Sequence, residues 1–278
     1  ARGLITGRTG NFGLIVPDLA NPFFPGVVKG MQARAREADH AVFLADTDED
    51  AAVEADLVRA LAKQVDGIVL CSPRMSEDDL RSVTGETPLV LLARRVARLP
   101  SVTIDNVDGM RQAVAHLTAL GHRRVAYVAG PRNSWSNRER LRGLRTVTAA
   151  AEVELVEIGN FMPQFEGGVA AADLVLAAAT TAVIAYNDVV ALGLLSRFSA
   201  RGVRVPGDIS VVGCDDIALS AMSNPSLTTV ALPKQQLGRA GVDLLQQVME
   251  NPDRVGAPRW ELATHLMVRG STGPAPAT

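Results

Sequence analysis

The feature that most limits how this chain can fold is an alternation that runs through its length twice. Short apolar runs are each followed by a longer stretch of helical period. Residues 13–16 read as a strand. After the Asn21-Pro22 loop, Pro25 fits the first turn of a helix reaching about residue 38. Strands follow at 41–45, 67–71, 88–92 and 102–104, with helices over 51–63 and 77–83. The pattern then restarts. A helix over 109–120 ends at Gly121, a glycine suited to a C-cap. Strands at 124–129, 154–158, 182–186 and 209–213 alternate with helices over 137–150, 168–178 and 188–201, the last stopped by Gly202. A late helix at 235–249 and a late strand at 260–268 fall outside the repeat. Strands separated by helices imply parallel sheets with right-handed crossovers. The alternation therefore predicts an α/β protein of two doubly wound parallel-sheet lobes.

The 278 residues suffice for two such lobes. With 47% hydrophobic and 21% charged residues, each can bury a core. Aromatics are only 4%, so the cores are aliphatic. A net charge of −2 excludes a polybasic nucleic-acid binder. No apolar run approaches the roughly 20 residues of a membrane span, and no signal-peptide pattern opens the chain. Two cysteines, Cys71 and Cys214, suggest no disulfide framework and fit a reducing compartment, the cytoplasm.

Ligands of open parallel sheets bind outside the carboxyl ends of the strands. In the first half those ends carry Asp18, Asn21, Phe23 and Phe24, then Asp46 and Asp48, then Ser72 and Arg74, then Arg94. In the second half they carry Trp135, Ser136, Asn137, Arg138 and Arg140, then Asn160 and Phe161, then Asn187 and Asp188, then Asp215 and Asp216. Carboxylates and amides exchange hydrogen bonds with hydroxyls, arginine offers a planar fork of donors, and rings cover an apolar sugar or base face. This chemistry suits a small polyhydroxylated ligand held in a cleft and left untransformed. Asn187 and Asp188 read equally well as N-caps. Of Asp215 and Asp216, one is expected to face the ligand and the other to help cap the next segment.

Enzyme signatures are missing: there is no G-x-G-x-x-G, no G-x-x-x-x-G-K-[ST], no G-x-S-x-G and no H-E-x-x-H. His40, His116, His122 and His265 have no metal-ligand spacing and read as surface or structural histidines. No catalytic residue, metal or cofactor is expected.

Taken in order, the motifs resemble the effector-binding core of the lactose repressor (LacI/GalR) family of bacterial transcription regulators. They are Gly13-Leu14-Ile15-Val16-Pro17-Asp18 with Asn21-Pro22-Phe23-Phe24, Val102-Thr103-Ile104-Asp105-Asn106, and Leu120-Gly121-His122-Arg123-Arg124-Val125-Ala126 with Ala129-Gly130-Pro131. After them come residues 138–143, Tyr186-Asn187-Asp188 before Ala191-Leu192-Gly193, Val211-Val212-Gly213-Cys214-Asp215-Asp216, and Pro225-Ser226-Leu227-Thr228-Thr229-Val230.

The resemblance implies a periplasmic-binding-protein-like fold of two lobes joined by three crossovers, near 105–108, 229–232 and 251–259. The N-terminal lobe would be 11–105 plus 232–251, and the C-terminal lobe 106–231 plus 258–270. Residues 1–10 would end a hinge or linker, and 271–278 would form a disordered tail. The implied effector contacts are Phe23, Phe24, Arg94, Arg140, Phe161, Asn187 and Asp215, and the strand-end reading adds Asp46, Trp135 and Arg138. Arg94 stands where many relatives carry an acidic residue, which would favour an acidic sugar or a phosphate; the alternative is a plain surface arginine. The effector would be a sugar or derivative, and the core a homodimer in the cytoplasm with no membrane partner. It would meet operator DNA only through an N-terminal headpiece that this sequence does not include. An extracytoplasmic sugar-binding protein of a transporter shares the fold, but the hinge-like Ala1-Arg2-Gly3-Leu4 argues against it.

Overall fold

Every aliphatic run read as a strand up to residue 213 becomes one in the computed structural model, which describes residues 9–83, 85–251 and 256–276. In chain order the first elements are β1 (Asn11–Val16), α1 (Phe23–Glu37), β2 (Ala41–Asp46), α2 (Ala51–Leu61), β3 (Gly67–Cys71), α3 (Glu77–Val83), β4 (Leu89–Leu92) and β5 (Ser101–Ile104). Then come α4 (Asn106–Ala119), β6 (Arg124–Ala129), α5 (Trp135–Ala150), β7 (Glu154–Asn160), α6 (Phe165–Ala177), β8 (Ala182–Ala185), α7 (Asp188–Ala200) and β9 (Ser210–Asp215). The chain finishes with α8 (Ala218–Met222), β10 (Thr228–Ala231), α9 (Lys234–Glu250), β11 (Arg259–Leu262) and β12 (His265–Met267).

The chain divides into two units. The first runs to Ile104 and includes Asn133–Trp135 and Pro233–Leu262; the second comprises Asp105–Arg132, Ser136–Leu232 and Ala263–Thr278. The first unit's sheet has the order β11-β5-β4-β3-β1-β2, parallel throughout. β3 and β4 are wholly buried, as a strand covered on both faces must be. The late helix α9 packs here against α1, and glycines set the distance. A Cβ on Gly30 would stand 2.1 Å from the Gln235 carbonyl oxygen, and one on Gly238 would stand 2.1 Å from that of Val27. Val27, Met31, Leu237, Leu244 and Leu245 are buried by this pairing and the sheet beneath it, each worth about 1.5–3 kcal/mol.

The second unit's sheet has the order β12-β10-β9-β8-β6-β7. Its strands are parallel except β12, which runs antiparallel to β10 at the edge. Val128, Ala171, Val183, Leu194, Phe198 and Val211 belong to its aliphatic core. Here α6 and α7 meet at Gly168 and Gly193, where a Cβ on either would lie 2.9 Å from the other's Cα.

Three expectations change. The late strand is two strands, β11 in the first unit and β12 in the second, so the third crossing lies between Leu262 and Ala263 and not within 251–259. The strand propensity of this stretch hides the break at Thr264, whose hydroxyl donates to the Asp105 carbonyl and whose own carbonyl accepts from Gln112 Nε2. The tail is ordered through residue 276. Ser271 Oγ donates to the Val211 carbonyl, the Gly273 carbonyl accepts from His122 Nε2, and Ala275 N donates to the Leu120 carbonyl. Its Gly and Pro content mimics disorder, but these pairs hold it. Finally, β10 and the one-turn helix α8 escaped the sequence reading, both lying in the Pro225-Ser226-Leu227-Thr228-Thr229 neighbourhood. The hinge reading of residues 1–10 falls almost wholly on residues outside the described ones, as do residues 252–255 of the expected third crossing and 277–278 of the tail.

Candidate ligand-binding site

Strand order locates the candidate site. In the first sheet β1 is flanked by β2 and β3, and in the second β6 is flanked by β7 and β8. The connection leaving β1 runs to one side and that leaving β3 to the other, as do those leaving β6 and β8, and at such a switch point the loops diverge and open a crevice.

At the first unit's switch point the polar groups are committed to one another. Asp18 is buried, and its Oδ1 accepts from Ala20 N. Asn21 Oδ1 accepts from Phe23 N and so shapes the entry into α1. Phe23 and Phe24 pack edge to face with ring centroids 5.1 Å apart, each only 5% exposed. They offer a ligand an edge rather than an open ring face. Asp46 is exposed and accepts from Leu19 N and Asp48 N, tying the loop after β1 to the loop after β2.

Behind these loops lies a buried ionic cluster. Arg74 makes a two-pronged contact with Glu49 at 2.5 and 2.9 Å and donates to the Ser72 carbonyl and hydroxyl. Glu54 Oε2 accepts the backbone N–H groups of Arg74 and Met75. Burial raises the Glu54 carboxyl, and the Met75 and Arg74 amides oppose that rise. Arg94 is 3% exposed, and its Nη1 donates to the Pro73 and Met75 carbonyls. The arginine expected to face an acidic ligand therefore braces the loop after β3. Ser72 and Ala93 at these strand ends hold φ values of +50° and +53°, the left-handed region that non-glycine residues rarely occupy.

At the second unit's switch point one guanidinium gathers the site. Arg140, on the second turn of α5, is 4% exposed. Its Nε donates to Asn106 Oδ1 at 2.9 Å, its Nη1 donates to the Tyr186 carbonyl, and its Nη2 stands 3.9 Å from Asp215 Oδ1. The guanidinium carbon lies 5.1 Å from the centroid of the Tyr186 ring, a cation–π distance. That ring lies against Gly130, where a Cβ would come within 2.5 Å of it. Asn137 Oδ1 accepts from both the Tyr127 hydroxyl and Gly130 N, and so fixes the loop after β6.

The remaining candidates sit around this core. Asn187 caps α7 through Oδ1, which accepts from Val190 N, and donates from Nδ2 to the Pro163 carbonyl. Phe161 is half-buried against the aliphatic core at the end of β7. Trp135 opens α5, half-buried, and Arg138 is exposed with Nη1 donating to the Arg132 carbonyl. Asp216 does not cap a helix; it pairs with Arg269 at 2.6 Å.

The structure thus brings Arg140 and Asp215 together beside the Tyr186–Asn187 turn. It adds Asn106 and Tyr127, and it gives Asn137 and Asp188, already named at the strand ends, contacts that the sequence did not reveal. Glu54, which the sequence reading missed, carried a usable signal: a charge four residues before Val58 on the buried stripe of α2. Cys71 is inert, its thiol pushed up to about 12 by burial. Among the described residues no cluster of three His, Cys, Asp or Glu could hold a metal ion, and no helix is long and apolar enough to cross a membrane. A separate cavity of about 460 Å³, lined in part by Arg98, Gln247 and Asn251, lies at the amino ends of β5 and β11.

Comparison with known proteins gives this architecture a family. Residues 114–272 match the model of the periplasmic binding protein-like domain family. The chain is 32% identical over 273 residues to the HTH-type transcriptional repressor CytR of Escherichia coli K12, covering 95% of this chain and 79% of the repressor. Among solved structures it is similar to the transcriptional regulator CelR–cellobiose complex, with 33% identity, TM-score 0.85, and coverage of 95% and 85%. A LacI family transcriptional regulator from Enterococcus faecium with bound ribose matches with 27% identity, TM-score 0.84, and coverage of 95% and 99%. The chain belongs to the LacI/GalR family of transcriptional regulators, proteins that bind and signal rather than catalyse, and it spans their effector-binding core.

Proposed function

We propose that this core senses a small polyhydroxylated metabolite, a sugar or sugar derivative, at the carboxyl edge of the second unit's sheet. The observation that carries the reading is the Arg140–Asp215 pair. The two groups are buried at 3.9 Å, longer than a tight ion pair, with the Tyr186–Asn187 turn beside them. A vicinal diol is matched by such a couple, because carboxylate accepts while guanidinium donates. Phe161, at the end of β7 in the same unit, supplies an apolar edge for the carbon face of a sugar. Cellobiose and ribose in the two similar regulators belong to this chemical class. Arg94 and Asp46 act in this reading as framework, shaping loops on the first unit. Trp135 and Arg138 lie on the arginine's own helix, α5.

Ligand binding acts on DNA through differential affinity for two conformations of the core. The DNA contact itself belongs to a separate headpiece of the intact cytoplasmic regulator. The core works as a homodimer. The edge strand β2 exposes Phe43 and Leu44, and α2 exposes Val53, an unpaired apolar edge of the kind that self-association covers.

Calorimetry against a panel of pentoses, hexoses, disaccharides and nucleosides tests the ligand reading, with Arg140→Ala and Asp215→Ala as controls. Binding by the wild type that both variants lose supports it. Binding that both variants retain overturns it.

A further inference from the structure

Asn187 and Asp188 are adjacent and look alike as capping residues, but the structure gives them different work. Asn187 caps its own helix. Asp188, wholly buried, reaches away from it. Its Oδ2 accepts from Ile217 N at 2.9 Å and from Ser220 Oγ at 2.6 Å. Its Oδ1 accepts from Thr229 Oγ1 at 2.5 Å. Thr229 Oγ1 in turn accepts from Asp216 N at 3.4 Å. The carboxylate therefore reaches two consecutive backbone N–H groups, one directly and one through a hydroxyl.

Those two N–H groups belong to an unusual turn. Asp215 has φ +132° and Asp216 has φ +54°, conformations that side-chain-bearing residues adopt only where surrounding contacts over-determine them. Gly213 leaves room for the device, since a Cβ there would stand 2.1 Å from Asp188 Oδ1. Burial raises the Asp188 carboxyl, and the Ser220, Thr229 and Ile217 donors pull it back. Such a charge is costly to bury, and an ordinary helix cap would not require it.

We propose that Asp188 is a positioning residue: through Ile217 N and Thr229 it holds the turn at 215–217 so that the Asp215 carboxylate faces Arg140, and it ties that turn to β10. The strand β10 leads to the chain's departure from the second unit at Leu232. A ligand that shifts Asp215 therefore pulls on β10 through Thr229. The proposal rests on the reading of Asp215 as a ligand contact.

The test uses the full chain with Asp188→Asn, Thr229→Val and Thr229→Ser, following amide hydrogen exchange by NMR. Thr229→Val keeps the side-chain shape and removes the hydroxyl; Thr229→Ser keeps the hydroxyl. The expected result is exchange about tenfold faster at the Asp216 and Ile217 amides in Asp188→Asn and Thr229→Val. The β6 and β8 amides should be unchanged, and Thr229→Ser should restore wild-type exchange. Should Asp188→Asn fail to fold, Thr229→Val against Thr229→Ser decides alone. Unchanged turn amides in Thr229→Val, acceleration spread evenly over the sheet, or a Thr229→Ser that behaves like Thr229→Val would overturn the proposal. A failure of the ligand reading looks different: Asp215→Ala would leave the affinity for a bound sugar of the panel unchanged while the turn amides still respond to Thr229→Val.

Discussion

Arg140 and Asn106 are joined by a 2.9 Å hydrogen bond that links the second turn of α5 to the first residue of α4. Asn106 follows directly on the first crossing of the chain, at Ile104 and Asp105. The guanidinium at the centre of the candidate site is thus held by the second residue of the second unit. Asn106→Ala should leave Arg140 Nε without its buried acceptor and destabilise the protein by about 1–3 kcal/mol. Asn106→Asp, which restores an acceptor, should recover much of that loss in a urea denaturation series.

Arg140 and Asp215 should couple in a double-mutant cycle. Arg140→Ala removes the cation that faces the buried Asp215 carboxylate and is expected to cost about 3 kcal/mol, as is typical of breaking a buried pair from one side. Arg140→Ala with Asp215→Ala should cost less than the sum of the two single changes. Strict additivity in thermal denaturation would show that the two groups do not interact.

Acid should weaken the fold through His122. Nε2 of this histidine donates to the Gly273 carbonyl, and Nδ1 accepts from Thr181 Oγ1. Burial lowers its pKa below the ordinary 6.5, and His116 is lowered in the same way. Between the folded value and 6.5 the unfolded chain binds more protons. Stability should therefore be complete above that range and fall as pH drops through it. His122→Gln should flatten part of this slope in denaturation curves recorded from pH 7.5 to 5.

The glycine contact between α6 and α7 should tolerate no side chain. In Gly168→Ala the new methyl would meet the Val190 carbonyl oxygen at 2.0 Å, a clash with backbone that no rotamer relieves. The expected loss is about 3 kcal/mol or more in a melting experiment. Gly202→Ala, where nothing lies within 4 Å of the added carbon, should cost only the strain of its φ of +72°.

Much of this fold was legible because its strands are apolar runs and its helices end at capping residues. Asn187 announced its cap, and Gly121 and Gly202 announced helix ends with φ of +91° and +72°. The site was legible only in part. Strand ends pointed to Asp215 and Asn187, and Arg140 stood out through family resemblance. What joins them was hidden, because the contacts of Asp188 with Ile217 and Thr229 span 29 and 41 positions, and that of Arg140 with Asn106 spans 34. No local pattern encodes pairs so far apart. Arg94 shows the same limit: from sequence it is a charge at a strand end, and only the fold shows the Pro73 and Met75 carbonyls that its Nη1 meets. The single strand read across residues 260–268 failed because Thr264 has ordinary strand propensity, and only its distant partners Asp105 and Gln112 break the run.

The most direct test is a crystal structure of the protein with the tightest-binding sugar of the calorimetric panel. A ligand hydroxyl should lie within hydrogen-bonding distance of the Asp215 carboxylate and another within reach of the Arg140 guanidinium. Density for that sugar elsewhere, for instance in the cavity beside Arg98 and Gln247, with Arg140 and Asp215 untouched, would contradict it.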